Sequence, residues 1–280
     1  MSIIQGTAKG GGVASFYDFP IEQSLRFDGS SYLQKNNFGT SAGTVNTFSF
    51  WMKLSDLSDT RTTIFGAWYD TADFDCGIGA TGYGAANTLR SNWGGGANYN
   101  LFYINNKLRD ISAWYHIVIS FNSSNSSGNK VKKYINGTQI TATTSADPSY
   151  TSFGRNGSTS RIGARVDGPS LSVSQRFKGY LANIQFIDGQ ELDQYFFGEF
   201  KDNIWVPYNA FSTANSGNAS DGDTATNSYG TNGFRLAFDS ADFNWSGSST
   251  MTDPYGSGTT VPIYGVADAS GNGKHWVMNS

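Results

Sequence analysis

Residues 114–121 read WYHIVISF, and this stretch decides the fold class. Its apolar side chains alternate, so Tyr115, Ile117, Ile119 and Phe121 line one face of an extended strand. Residues 130–141 follow with KVKKYINGTQIT, in which Asn-Gly separates two more strand patterns. Asn-Gly favours a two-residue hairpin turn because both turn residues must take positive φ. The sequence therefore predicts antiparallel strands joined by tight turns.

The same alternation recurs on both sides of this stretch. Residues 48–53 read FSFWMK and residues 180–187 read YLANIQFI. The side chains predicted to face the core are Phe48, Phe50, Met52, Tyr180, Ala182, Ile184 and Phe186. Helical patterns are nearly absent, and at most one turn is expected at residues 191–197. Strands at this spacing, with Gly, Asn, Asp and Ser between them, predict an all-β, antiparallel jelly-roll β-sandwich with little helix.

The predicted domain organisation is an N-terminal arm followed by one domain. Residues 1–20 include three consecutive glycines at 10–12 and end at Pro20, so we expect a tether suited to attachment. Residues 21–280 are expected to form a single jelly-roll domain. The segment 207–280 is rich in Gly, Asn and Ser and holds too little apolar sequence for a second core. We therefore expect it to supply loop-rich late strands of the same sandwich.

The charge balance argues against nucleic acid as a partner. The formal net charge is −3, and the 19 basic residues are scattered, whereas phosphate binding needs clustered Lys and Arg. The densest basic group is Lys130, Lys132 and Lys133, which is interpreted as the solvated face of a hairpin strand. No apolar stretch approaches the roughly 18 residues needed to span a bilayer, so no membrane insertion is expected.

Cysteine content and the N-terminal sequence bear on the compartment. The single cysteine, Cys76, cannot form an intramolecular disulfide, and a small buried strand or loop residue is favoured over a thiol nucleophile. Residues 1–13 lack the charged and apolar regions of a signal peptide. Synthesis in a cytoplasm, combined with an outward-facing composition low in charge, fits a virion protein released by lysis.

Several segments together resemble the laminin-G-like, concanavalin-type lectin/glucanase superfamily. They are residues 25–29 (LRFDG), 48–53 (FSFWMK), 114–118 (WYHIV), 134–137 (YING), 161–163 (RIG) and 177–184 (FKGYLANI). A narrower resemblance, to laminin-G-like virion proteins of marine tailed bacteriophages, covers roughly residues 24–280. It rests on residues 186–192 (FIDGQEL), 197–200 (FGEF), 230–234 (GTNGF) and 268–273 (DASGNG). The resemblance implies a two-sheet jelly roll and a place on the particle as a decoration, fibre or adhesin.

Candidate catalytic residues do not emerge from the sequence. Retaining glycosidases need two carboxyls about 5 Å apart, and the related glucanases supply them from a Glu-x-Asp-x-x-Glu strand. The three glutamates, Glu22, Glu191 and Glu199, do not begin that pattern. His116 and His275 are interpreted as structural or surface imidazoles. The chain is therefore predicted not to be an enzyme.

Two aspartate groups are candidate calcium ligands, because many laminin-G-like and lectin sandwiches hold calcium at a loop rim and hard cations prefer clustered oxygens. The first group is Asp70, Asp73 and Asp75, and the second is Asp221 and Asp223. Turn-forming aspartate is the alternative interpretation for both groups. No other cofactor is expected.

Loop-rich residues 66–103 form the candidate glycan surface, because aromatic faces stack on sugar C–H groups while Asp and Asn bind hydroxyls. The residues selected are Trp68, Tyr69, Asp70, Trp93, Asn98 and Tyr99. The alternative is that these aromatic residues cap the core or contact a neighbouring subunit.

The predicted function is that of a non-enzymatic bacteriophage virion surface protein, a capsid decoration or fibre component, exposed on the particle. Its expected partners are other virion proteins, held through residues 1–20, further copies of the chain, and a host surface glycan. A receptor-binding tail adhesin that recognises host carbohydrate is the first alternative. A polysaccharide-degrading enzyme is the second.

Overall fold

The computed structural model describes residues 17, 19–39, 43–58, 60–69, 72–81, 85–95, 100–143, 148–151, 153–209, 211, 229–244, 251–252, 259–261, 265–270 and 272–279. The strands in chain order are β1 (Leu25–Asp28), β2 (Tyr32–Asn36), β3 (Val45–Leu54), β4 (Thr62–Tyr69), β5 (Ala72–Ile78), β6 (Thr88–Gly95), β7 (Asn100–Lys107), β8 (Tyr115–Asn122), β9 (Val131–Ile135), β10 (Thr138–Ile140), β11 (Ala142–Thr143), β12 (Thr159–Ile162), β13 (Arg165–Asp167), β14 (Ser172–Ser174), β15 (Lys178–Asp188), β16 (Gly198–Lys201), β17 (Ile204–Pro207), β18 (Phe234–Leu236), β19 (Met251–Thr252), β20 (Thr260–Val261), β21 (Gly265–Val266) and β22 (Trp276–Asn279). Short 3₁₀ helices span Gln194–Phe196 and Ser240–Asp242.

Two antiparallel sheets make up the body. Sheet A has the order β1-β15-β3-β8-β9-β10, with β18 also paired to β15, and sheet B has the order β11-β7-β6-β5-β4-β12-β2-β22-β21. The remaining strands form the ribbons β13–β14, β16–β17 and β19–β20. The predicted all-β jelly-roll sandwich is confirmed. Of the late strands, β18 joins sheet A, whereas β21 and β22 join sheet B.

An aromatic core lies between the sheets. Phe153 is fully buried at its centre, with its ring centroid 5.2 Å from that of Phe48, 5.4 Å from Phe186 and 6.0 Å from Trp276. Burying a side chain of this size contributes about 1.5–3 kcal/mol, and edge-to-face ring pairs add about 0.5–1.5 kcal/mol. The predicted inward faces of residues 48–52 and 115–121 are confirmed by their place in this core.

The predicted facing of β15 is wrong in its first half. Leu181, not Tyr180 or Ala182, faces the core, whereas Ile184 and Phe186 face it as expected. The register with β3 shifts between Ala182 and Gln185, where Asn183 takes a positive φ of 43°. A bulge adds one residue to the strand and so reverses which side chains point inward.

The outer faces of both sheets are partly covered by other segments. Residues from 187 to 211 contribute Ile187, Leu192, Phe196 and Phe211 to a second apolar cluster on the outer face of sheet A. The ribbon β13–β14 lies across the outer face of sheet B, where a Cβ on Gly66 would stand 2.7 Å from the carbonyl oxygen of Ala164. Among the described residues, no helix is long and apolar enough to cross a membrane.

Candidate functional site

A polar row with one aromatic residue crosses the outer face of sheet B near one end of the sandwich. Trp68 on β4 pairs with Asp73 on β5 and with Thr159 on β12, and Thr159 pairs with Asn36 on β2. Opposite residues of neighbouring strands project from the same face. Because Phe65 and Ala67 of β4 lie in the core, Trp68 projects outward. Trp68 is half-buried, Thr159 is buried and Asn36 is exposed.

The next row along these strands is closed to solvent by a buried ionic cluster. Asp75 is fully buried and forms ion pairs with Arg90 and with Arg61, the latter at 3.0 Å. Arg165 of the covering ribbon approaches the same carboxylate at 3.8 Å. Arg161 donates hydrogen bonds to the carbonyl oxygens of Leu171 and Ser172 at 2.7 and 2.9 Å. These contacts attach the β13–β14 ribbon to sheet B and cover the row that contains Asp75. The accessible part of this outer face is therefore the end that carries Trp68.

A stack of two tyrosines and one arginine forms the rim beside Trp68. The guanidinium of Arg155 lies 4.2 Å from the ring centroid of Tyr69 and 4.4 Å from that of Tyr150. All three side chains are half-buried. Cation–π contacts at this distance hold the guanidinium against the rings. The stack joins the end of β4 to the segment 148–158, which is remote from it in sequence.

The structure brings together two of the residues that were predicted to form the glycan surface. Trp68 and Tyr69 stand half-exposed at the same end of the sandwich, whereas the prediction for Trp93 is wrong. Trp93 is fully buried, with its ring 4.8 Å from Phe74 and 4.7 Å from Phe121, and its Nε1 donates to the Ser91 hydroxyl. Its register partner Phe74 belongs to the core, so Trp93 faces inward too. The predicted residues Asp70, Asn98 and Tyr99 lie outside the described residues.

Asp75, which was predicted to belong to the first calcium-binding group, is not placed to bind a calcium ion. Its neighbours are arginines, which offer no ligand atoms and oppose a second cation. Within the described ranges, no cluster of three or more His, Cys, Asp or Glu side chains suits a metal ion. The backbone of Asp73 lies in β5, but its side chain, together with Asp70, Asp221 and Asp223, is outside the description.

Some residues at this end were missed by sequence reasoning. Tyr150, Arg155, Thr159 and Asn36 come together only because β12 pairs with both β4 and β2. The signal in the sequence was the position of Tyr150 and Arg155 on either side of Phe153-Gly154, in a segment rich in turn residues. This spacing allows an aromatic ring and a cation to meet across a loop. A second exposed aromatic group, Tyr195 (40% exposed) and Phe200 (48% exposed), was also missed and surrounds Trp205 of the β16–β17 ribbon, away from sheet B.

The buried ionisable groups favour a structural role over chemistry. Burial raises the pKa of the Cys76 thiol to about 12, so the thiol stays protonated and the interpretation as a buried strand residue is confirmed. Burial lowers the pKa of His116 to about 3, and the interpretation as a packed imidazole is likewise confirmed. For Glu191, burial raises the pKa, but the Lys132 ion pair and hydrogen bonds from Asn122 and Asn125 outweigh it and lower the pKa overall.

Comparison with known proteins adds a family to this geometry. The model of the concanavalin A-like lectin/glucanases superfamily matches residues 27–193, which include both Trp68 and Arg155. No curated protein sequence matches the chain.

Three solved structures have similar architecture. A native heptameric SAP-like pentraxin from Limulus polyphemus is 14% identical, with 62% of this chain and 79% of that chain covered and a TM-score of 0.46. A putative carbohydrate binding protein from Bacteroides ovatus ATCC 8483 is 13% identical, with 92% and 58% covered and a TM-score of 0.49. Domain 4 of AbnA, a GH43 extracellular arabinanase from Geobacillus stearothermophilus, in complex with arabinotriose, is 21% identical, with 65% and 78% covered and a TM-score of 0.46.

Proposed function

The chain belongs to the concanavalin A-like lectin/glucanases superfamily, and on that premise we propose that it binds carbohydrate beside Trp68 and catalyses no reaction. The observation that carries the proposal is the row of Trp68, Thr159 and Asn36 across β4, β12 and β2. A half-exposed indole offers a flat apolar face to the C–H side of a sugar ring. The exposed amide of Asn36 on β2, in the same row, supplies hydrogen bonds to the sugar hydroxyls.

The proposal of binding without catalysis rests on the state of the carboxylates. Hydrolysis of a glycosidic bond with retention needs two carboxyl groups about 5 Å apart and facing the substrate. Asp75, one row from Trp68, is buried among arginines. Glu191 is held by Lys132 at 2.9 Å and belongs to a different surface. A polysaccharide-degrading enzyme therefore remains the less supported alternative, and release of new reducing ends from polysaccharide would be required to adopt it.

We also propose that the protein is a bacteriophage virion surface component, either a capsid decoration or a fibre. The support is the resemblance of residues 186–192, 197–200, 230–234 and 268–273 to laminin-G-like virion proteins. In this proposal, residues 1–20 attach the chain to other virion proteins and several copies assemble together. A tail adhesin is the alternative. It uses the same sugar surface, so labelling intact particles with an antibody to the chain would separate a head position from a tail position.

The sugar-binding proposal is tested with a glycan array and a set of surface variants. The purified full chain is compared with Trp68→Ala, Trp68→Phe and Phe200→Ala, the last being an exposed aromatic residue on the β16–β17 ribbon, away from sheet B. We expect Trp68→Ala to weaken binding at least about tenfold, because an aromatic residue at the centre of a contact commonly contributes more than 1 kcal/mol. Trp68→Phe should retain part of the affinity, and Phe200→Ala should retain all of it.

Two results would contradict this assignment. If no glycan binds above background, carbohydrate binding is wrong. If Phe200→Ala weakens binding and Trp68→Ala does not, the sugar surface lies beside the β16–β17 ribbon instead. Thermal unfolding of each variant serves as the folding control, and we expect little change for Trp68→Ala, since this side chain is not part of the buried core.

A further inference from the structure

Arg155 is restrained by two tyrosine rings that pack against its guanidinium. The centroid of the Tyr69 ring lies 4.2 Å from the guanidinium and that of Tyr150 lies 4.4 Å from it. The backbone is fixed as well, because the carbonyl oxygen of Arg155 accepts hydrogen bonds from the amide and the hydroxyl of Ser158, at 3.1 and 2.7 Å. An arginine restrained in this way loses little conformational entropy when it binds a ligand.

Among the described residues, no side chain neutralises the guanidinium of Arg155. No carboxylate in that part of the chain pairs with it, and no side chain or carbonyl there accepts a hydrogen bond from it. The other arginines near this end differ, because Arg61 and Arg165 contact Asp75, and Arg161 donates to backbone carbonyls. The tyrosine rings pack against the guanidinium without accepting conventional hydrogen bonds from it, so its N–H groups remain available to a ligand.

This arrangement suits a planar or tetrahedral oxyanion. The guanidinium edge presents paired donors in a fixed geometry that matches two oxygens of a carboxylate or sulfate. Tyr69 directly follows Trp68 in β4, and Thr159, the register partner of Trp68, follows Arg155 by four residues. Successive residues of a strand project to opposite sides, so Arg155, which packs on Tyr69, lies at the same end of the sandwich as Trp68 but not on the outer face that carries it. An oligosaccharide that crosses the end of β4 would reach both residues.

We propose that the glycan bound by this chain is acidic, and that Arg155 binds the carboxylate or sulfate of one sugar while a neighbouring sugar in the same oligosaccharide stacks on Trp68. This inference rests on the proposed carbohydrate binding and specifies its ligand class. A protein of net charge −3 repels polyanions weakly through its overall field. Recognition of the acid then depends on this local contact and not on the net charge.

The test uses oligogalacturonate and its methyl ester, in which a methyl group replaces the charge of each sugar carboxylate, and a sulfated galactan oligosaccharide with its desulfated form. Dissociation constants are measured for the full chain, Arg155→Gln, Arg155→Lys and Arg109→Gln. Arg109 is an exposed arginine elsewhere on the surface, so its variant matches the change in net charge. Which of the two acidic probes binds better identifies carboxylate or sulfate as the preferred group.

We expect the intact chain to prefer an acidic probe over its uncharged form by about tenfold to hundredfold, as for a charge-assisted bidentate hydrogen bond. Arg155→Gln should abolish that preference, and Arg155→Lys should restore only part of it because a lysine lacks the planar pair of donors. Arg109→Gln should preserve it. Raising the salt concentration should weaken the acidic probe more than the uncharged one.

Equal affinity for charged and uncharged probes, or a preference that survives in Arg155→Gln, would overturn the inference. Carbohydrate binding itself would still stand in that case if Trp68→Ala weakens binding of the uncharged probes. Binding of poly-glutamate as tightly as oligogalacturonate would also overturn it, because the contact would then recognise acidic chains without a sugar. Absence of binding to every glycan would reject both proposals together.

Discussion

At the scale of single residues, His116 shows how an imidazole becomes a structural group. Its ring lies 4.8 Å from Trp51 and 5.9 Å from Trp205, nearly parallel to both. Trp205 Nε1 donates to Nδ1 at 2.9 Å, so the ring proton is assigned to Nε2, which lies 3.0 Å from the Ser49 hydroxyl. Protonation would place a second hydrogen on Nδ1 against the indole donor. The imidazole is therefore held neutral.

The pH dependence of stability should report this neutral histidine. Burial lowers the pKa of His116 from 6.5 to about 3 in the folded protein. Below pH 6.5 the unfolded chain gains a proton that the folded chain does not, so stability falls as the pH decreases from 6.5 toward 3. The expected slope is on the order of 1 kcal/mol per pH unit. Urea unfolding of the intact protein and of His116→Gln, each between pH 6.5 and 5, measures this slope. Most carboxylates titrate below that pH range. Identical slopes would contradict the assignment.

The sequence places Lys133 in a strand of the hairpin, as the structure does, but its burial was not expected. The interpretation as a solvated strand face is wrong for this lysine, which is 1% exposed and pairs with Ile119 on the core-facing side of β8. Burial lowers its pKa to about 7. The signal was its place between Val131 and Ile135, two residues away on either side, which puts all three on one face. The charge of the side chain did not predict its exposure, because the register of the strand decides which face of the sheet each residue occupies.

At the scale of elements, regular strands and tight turns could be predicted, whereas irregular strands could not. The Asn136-Gly137 hairpin and the short turn near residue 194 follow from local turn chemistry, and the structure confirms both. The bulge in β15 depends on Asn183, whose side-chain oxygen accepts a hydrogen bond from Arg235 at 2.9 Å. That arginine lies 52 residues further along the chain, so no local pattern reveals it. For the same reason, only part of the candidate site could be predicted from the sequence. Arg155 reaches Tyr69 only because strands that are distant in sequence pair with each other.

The β9–β10 hairpin is joined to the β16–β17 ribbon through Trp205, and Gly137 is the position at which this contact can be tested. Gly137 has a φ of 77°, and a Cβ there would stand 2.2 Å from the Trp205 ring. Gly128 has a similar φ of 82° with nothing within 4 Å. We expect Gly128→Ala to cost about 1 kcal/mol for the backbone conformation alone. Gly137→Ala should cost about 1–3 kcal/mol more, because the indole must move.

Urea unfolding of these two variants measures the difference between strain alone and strain with a steric clash. A combined Gly137→Ala, Trp205→Leu variant should recover part of the lost stability relative to Trp205→Leu by itself, since the obstructing ring is absent. If Gly137→Ala and Gly128→Ala destabilise equally, Trp205 does not fix the two ribbons against each other.

At the scale of the whole molecule, residues 19–21 and the row that contains Trp68 lie on opposite outer faces. Ile21 packs against the cluster of Trp51, Ala182 and Trp205 on the outer face of sheet A, and the Phe19 ring lies 5.3 Å from the Arg235 guanidinium. Residues 19–21 therefore follow the outer face of sheet A. Trp68 and its row project from the outer face of sheet B. A chain attached through its first residues would present the sugar surface away from the point of attachment.

This separation predicts that particle attachment and glycan binding can be removed independently. Deleting residues 1–16 leaves the contacts of Phe19 and Ile21 in place, so we expect an unchanged melting temperature and unchanged glycan affinity. Incorporation into particles should be lost, because the segment that we propose for attachment is missing. Trp68→Ala in the full chain should give the reverse result, with normal incorporation and weakened glycan binding. Quantifying the protein on purified particles, together with array binding of the free chain, tests both. Wild-type incorporation of the shortened chain would place attachment on the folded domain, and weakened glycan binding by the shortened chain would show that the two faces are not independent.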